Sequence, residues 1–283
     1  MCLQMGSKHI IHFDNVDEAR EAYKIGMGMI SSRRTLRKYL RGSTYRNVFR
    51  DNGRVLDVRD YGGKVDLKIR LGGNETSTLK VRDLSIESES LGIIKEFSEK
   101  CRKDSVARPS SGDLGSMFAF GYRSKESGDY VSMKGENSDL IRNYNVVSRK
   151  LFDKHFPEDV KDIIDADREQ NIVPSASMGG VDGISAYCLV SRDLINAGHF
   201  DLDTSVGISV FNERIIGKAV DWFFILPNTV VDGESNERAV MIQLFDGCTL
   251  CWDGRKIFHC TGTKEVGENN HVYGNYWGGK DYR

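Results

Sequence analysis

RAVMIQLFDGCTLCWDGRKIFHCT, residues 238–261, decides the fold. Arg238 to Phe245, Thr249 to Trp252 and Lys256 to Thr261 each read as a short β segment closed by a turn. The same texture extends outward on both sides, through Ile184 to Val190, Ser205 to Phe211 and Ala219 to Leu226 before it and His271 to Trp277 after it. Strands at this spacing leave no room for crossover helices, so they predict an antiparallel sandwich or barrel. A jelly roll is its natural closure.

Before Gly183 the pattern changes. Ser138 to Gln170 has helical spacing that stops and restarts at Pro157, and Ser116 to Met133 reads as two short strands. Val106 to Gly115, with Pro109, two serines and Gly112, is the candidate linker. Upstream of it, Asn15 to Leu40 reads as a helix that Gly26 and Gly28 interrupt, Arg54 to Gly72 as a hairpin about Gly62-Gly63, and Ser88 to Lys103 as a helix through Leu91, Ile94 and Phe97. The expected class is therefore α+β. It comprises a small N-terminal α+β region over 1–105 and a jelly-roll domain over 116–283, with supporting helices at about 138–170.

At 283 residues, with 39% hydrophobic and 29% charged residues, the composition is that of a soluble globular protein. No apolar run approaches a membrane span and the first residues carry no secretory stretch, so an intracellular, soluble protein, cytoplasmic or nuclear, is expected. Six irregularly spaced cysteines fit a reducing compartment better than a disulfide framework. Cys248 and Cys251 form a Cys-x-x-Cys without a second pair, and read as buried thiols rather than zinc ligands.

Net charge is −1, yet it is unevenly spread. Residues 1–170 hold 31 Lys and Arg against 27 acids, and residues 171–283 hold 9 against 14. The stretch from Ser31 to Arg50 contains Arg33, Arg34, Arg37, Lys38, Arg41, Arg46 and Arg50 with no acid, interleaved with Tyr39, Tyr45 and Phe49. Two readings stand: a solvated helix face balanced by Asp17, Glu18 and Glu21, or a stripe that neutralises phosphates while its aromatics stack on bases.

The chemistry-bearing residues are His199, Asp201 and His259. In an extended segment His199 and Asp201 project to the same side, and a later strand ending the run Trp252 to His259 can bring in the second imidazole. Two imidazoles and one carboxylate on one face of a metal leave the opposite positions open, which suits non-haem Fe(II). Asp203 would share that face in a regular strand and is a candidate partner for an imidazole. A zinc hydrolase with the same ligands and a jelly-roll binding module without metal are the competing classes.

The order helices, strand, His-x-Asp, several short strands, distal His and a last strand resembles the double-stranded β-helix of the Fe(II) and 2-oxoglutarate dependent dioxygenases, over roughly residues 116–283. The resemblance implies that His199, Asp201 and His259 hold iron and that 2-oxoglutarate is the co-substrate of a hydroxylation. It also implies a basic group for the distal carboxylate. His271 to Trp277 contains none, so the candidates are Arg214, Lys218, Arg255 and Lys280, with Lys264 lying early. Arg255 lies an even number of residues before His259 and would share its face in a strand. The runs Trp222 to Pro227, Trp252 to Arg255 and His259-Cys260-Thr261 are similar to algal and protist members of the 5-methylcytosine dioxygenase group, a branch of which uses ascorbate. That similarity implies a nucleobase (methylpyrimidine) oxidase as the alternative activity, with Arg33, Arg34, Arg37 and Lys38 as nucleic-acid contacts.

Other classes lack their signatures. Met178 to Gly183 is glycine-rich but carries neither Gly-Lys-Ser nor Gly-x-Gly-x-x-Gly before a helix, and there is no Gly-x-Ser-x-Gly or His-Glu-x-x-His.

Overall fold

The structure is a computed structural model that describes residues 9–13, 54–71, 75–104, 114–122, 130–131, 138–170, 183–185, 187–196, 199–201, 203–215, 222–231, 238–263 and 270–280. The basic stripe at 33–50, the glycine-rich run at 178–182 and the expected helix at 15–40 lie outside these residues. The strands are β1 (His9–Phe13), β2 (Arg54–Leu56), β3 (Lys64–Leu71), β4 (Glu75–Asp83), β5 (Leu114–Tyr122), β6 (Tyr130–Val131), β7 (Tyr187–Ile195), β8 (Asp203–Ile215), β9 (Trp222–Val231), β10 (Arg238–Leu244), β11 (Cys248–Trp252), β12 (Cys260–Thr263) and β13 (Asn270–Lys280). Among the described residues three α-helices, α1 (Ser88–Asp104), α2 (Ser138–His155) and α3 (Pro157–Glu169), complete a mixed α+β fold that is mostly sheet.

The strands run β2-β10-β9-β1-β3-β4-β11-β8-β13-β7-β5-β6 through one hydrogen-bonded sheet, with β12 alongside β9. Neighbours are antiparallel except for β1 with β3 and β2 with β10. The sheet curls back on itself. Phe224 of β9 meets Trp252 of β11 at 4.9 Å between ring centroids, although three strands separate β9 from β11 along the sheet. The enclosed core holds Phe211, Trp222, Phe224, Leu226, Ile242, Leu250 and Val272, which is a jelly-roll-like arrangement.

Strand alternation sorts side chains between two compartments. Phe211, Leu250, Trp252 and Val272 point into the curled sheet, whereas Ile208, Val210, Cys251, Tyr273 and Trp277 point outward under the helices. There Trp277 stacks on Tyr144 of α2 at 5.4 Å and meets Phe152 edge-on at 5.0 Å. The aromatic set of the last strand is therefore divided: Tyr276 packs on the interior, and Tyr273 and Trp277 bind the helical layer. Cys248 and Cys251 face opposite compartments, and burial pushes both thiols well up.

Several boundaries differ from those the sequence predicts. The hairpin expected about Gly62-Gly63 does not form, because Val58–Tyr61 is a 3-10 turn that Gly62 ends in the left-handed region at φ 73°. Strand β2 leaves to pair with β10, and the hairpin is β3 with β4. The strand expected at Lys256 to Thr261 starts only at Cys260, since Asp253 turns the chain by accepting main-chain bonds from Lys256 and Ile257 at 3.1 and 3.0 Å. Residues on both sides of the candidate linker contribute to one sheet, most directly where β4 pairs with β11.

Candidate metal centre

Two segments form the site. One joins β7 to β8 and carries His199, Phe200 and Asp201; the other runs from β11 to β12 and carries Asp253 to His259. They are laced by the main chain: the His199 amide donates to the His259 carbonyl at 3.0 Å, the His259 amide donates back at 3.1 Å, and the Asp201 amide donates to the Gly254 carbonyl at 2.9 Å. Beyond them the Asn196 side chain accepts from the Thr261 amide at 2.7 Å. This places residues about 60 positions apart side by side, as an isolated antiparallel bridge.

The three side chains converge. His199 Nε2 lies 3.4 Å from Asp201 Oδ1, and His259 Nε2 lies 3.4 Å from Asp201 Oδ2. All three potential ligand atoms lie within 4.8 Å of one another. Ligand atoms bonded at about 2.1 Å to one ion, roughly at right angles, stand about 3 Å apart, so one cation fits between them with small adjustments.

Their environments differ. His259 is buried, stacked on Phe224 at 5.1 Å with a 16° interplanar angle and met edge-on by Trp252 at 5.3 Å. Burial pushes its imidazolium down to about 4, against the opposing pull of the Asp201 charge, so the ring is neutral near pH 7. Its Nδ1 lies 2.9 Å from the Ile257 carbonyl, which only accepts; Nδ1 therefore carries the proton and Nε2 keeps a lone pair for a metal. His199 and Asp201 remain 24% and 21% exposed at the side chain, against 5% for His259, so the cluster opens to solvent on their side.

The other candidate residues are placed as follows. Asp203 accepts a hydrogen bond from the Tyr276 hydroxyl, while the imidazole of His259 takes its orientation from the Ile257 carbonyl. Arg255 does not sit on a strand with His259: it belongs to the turn, where its guanidinium grips Asp253 through Nε and Nη2, both at 2.9 Å, and donates from Nη1 to the Thr204 carbonyl at 2.8 Å. Arg214 and Lys280 are described only by their backbone pairings, with His271 and Asp203 respectively. Lys218, Lys264, Arg33, Arg34, Arg37 and Lys38 lie outside the described residues.

Sequence reading missed Gly254. A Cβ there would approach the Asp201 Cβ and Cγ to 2.7 Å each, so only glycine lets the carboxylate lie against this turn. The signal was present as the compact run Asp253-Gly254-Arg255, whose meaning needed the partner segment.

No protein-family model matches the chain, and no curated protein matches it. Among solved structures, NgTET1 in complex with 5mC DNA aligns over 92% of this chain and 91% of that one, at 12% identity and a TM-score of 0.47.

Proposed function

We propose that this chain is an Fe(II)-dependent dioxygenase of the double-stranded β-helix type, which hydroxylates its substrate with 2-oxoglutarate as co-substrate. The observation that carries this reading is the convergence of His199, Asp201 and His259 from two laced segments, with open solvent on one side. Two imidazole nitrogens and one carboxylate give a donor set that leaves positions for a co-substrate and oxygen. Ferrous iron held there would supply the oxidising chemistry for C–H hydroxylation. The chain's own part is binding and exclusion. Asp201 contributes the anionic oxygen, His259 a lone pair fixed by Ile257, and Phe224 with Trp252 an apolar wall that keeps water from the buried side. The exposed edge of His199 and Asp201 is the side from which ligands enter.

With the Arg255 guanidinium engaged by Asp253 and Thr204, Arg214, Lys218 and Lys280 are the candidates for the co-substrate carboxylate, and ascorbate is the alternative reductant. The candidate substrate classes are nucleobases, peptides and small metabolites; a methylpyrimidine oxidase would use the basic stripe at 33–50.

Anaerobic addition of Fe(II) and 2-oxoglutarate should give the weak visible band of a chelated keto acid in wild type and not in His199→Ala. A wild-type protein that binds metal but gives no band excludes keto-acid chelation and turns the choice toward ascorbate. A protein that binds no metal leaves only a jelly-roll binding module. Succinate release screened against DNA, RNA, peptides and amino acids assigns the substrate.

A further inference from the structure

We infer that Arg255 is a positioning residue for Asp201: with Asp253 and Gly254 it forms a clamp that fixes where the carboxylate stands. The inference rests on the metal-site reading above and gives Arg255 a role other than anion binding. Besides facing the two imidazoles, Asp201 is held against the 253–257 turn. Its amide donates to the Gly254 carbonyl at 2.9 Å, and its side chain lies so close over Gly254 that no Cβ fits between them. A shift of Gly254 is therefore passed on to Asp201.

The position of Gly254 is set in turn by its two neighbours. The Asp253 carboxylate accepts from the Arg255 amide at 3.1 Å and from Nε and Nη2 of the same residue, closing a ring around the glycine. The remaining arm of the guanidinium, Nη1, reaches the Thr204 carbonyl, three residues beyond Asp201. One planar cation thus ties the turn to itself and to the segment that carries the ligand, a task for which a fork with several fixed donors is suited and a lysine ammonium is not. The acids around it, Asp253 foremost and Asp162 and Asp203 more distantly, hold the guanidinium charged.

The Arg255 side chain of the clamp is 43% exposed although Asp253 is buried, so removing the arginine should cost little global stability. That separates its role from a structural one. Full-length protein loaded with Co(II) should show the d–d absorption of a histidine and carboxylate site. In Arg255→Ala the Co(II) affinity should fall by roughly 10-fold, within the range typical of lost orienting partners, with an altered band intensity and a melting temperature within about 2 °C of wild type. Arg255→Lys should not restore the affinity, and Asp253→Asn should reproduce the loss in part. Unchanged Co(II) affinity and spectrum in Arg255→Ala, or rescue by lysine, overturns the clamp alone. An affinity loss matched by a large drop in melting temperature in both Arg255→Ala and Asp253→Asn also overturns it. Wild-type protein that binds no Co(II) overturns the metal-site reading and the clamp with it.

Discussion

His199 and His259 carry the same ring into different media. His199 stands at the open edge, so on the proposed reading His199→Ala should remove a metal ligand with little loss of packing. Loss of an orienting partner alone typically costs roughly 10–100-fold in metal affinity, and loss of the ligand should exceed that while the melting temperature of the metal-free protein stays near wild type. Isothermal titration with Fe(II) or Co(II) beside a thermal melt checks both. For His259 the consequence is pH-dependent stability. Its pKa is 6.5 in the unfolded reference and about 4 when folded. Between those values the unfolded chain binds more protons, so the stability it contributes is complete above about pH 6.5 and is lost as pH falls toward 4. The full change is on the order of 3 kcal/mol. Urea midpoints of metal-free protein at pH 7 and pH 4.5 should show the drop, and His259→Gln should show a shallower one. An equal slope in the two proteins would assign the acid sensitivity elsewhere. That His199, Asp201 and His259 converge was legible from the order in which His-x-Asp, the short strands and the distal His follow one another; Gly254 was not, because a close approach between segments about 50 residues apart leaves no local mark.

The turn between β10 and β11 decides how the elements meet. Gly247 adopts φ 91°, donates to the Phe211 carbonyl at 2.9 Å and accepts from the Leu84 amide at 3.0 Å, so it joins β8 to the β4–α1 junction. A Cβ there would lie 2.7 Å from the Ser85 backbone nitrogen. Gly247→Ala should therefore cost about 2–4 kcal/mol, from strain and displaced backbone together, read as a lower denaturation midpoint at unchanged slope. The strands from β7 to β13 could be read from sequence since their short apolar runs and turns repeat. Strands β1 and β4 escaped it: β4, with Thr76, Ser77 and Thr78, lacks a clear apolar period, and its pairing with β11 joins residues about 170 positions apart. Gly62-Gly63 misled because the same dipeptide that closes a hairpin also ends a 3-10 turn.

Across the whole molecule the sheet is continuous from residues near 54–83 to those near 203–280. Val65, Leu67, Ile69, Leu79 and Val81 of β3 and β4 belong to the same buried core as Phe224 and Trp252. A chain starting at residue 106 should thus expose the edge of β11 and that apolar face, and should be recovered as aggregate or as a species without a cooperative thermal transition. A soluble, cooperatively melting 106–283 fragment would show that the later strands suffice. Among the described residues no helix is long and apolar enough to cross a membrane.

The paired amides and carbonyls of His199 and His259 sew the seam between the two segments with main-chain bonds. In small zinc domains the ion and the fold are acquired together; here the two imidazoles are brought to each other by peptide groups that no chelator touches. On the metal-site reading proposed above, loading would follow folding rather than drive it.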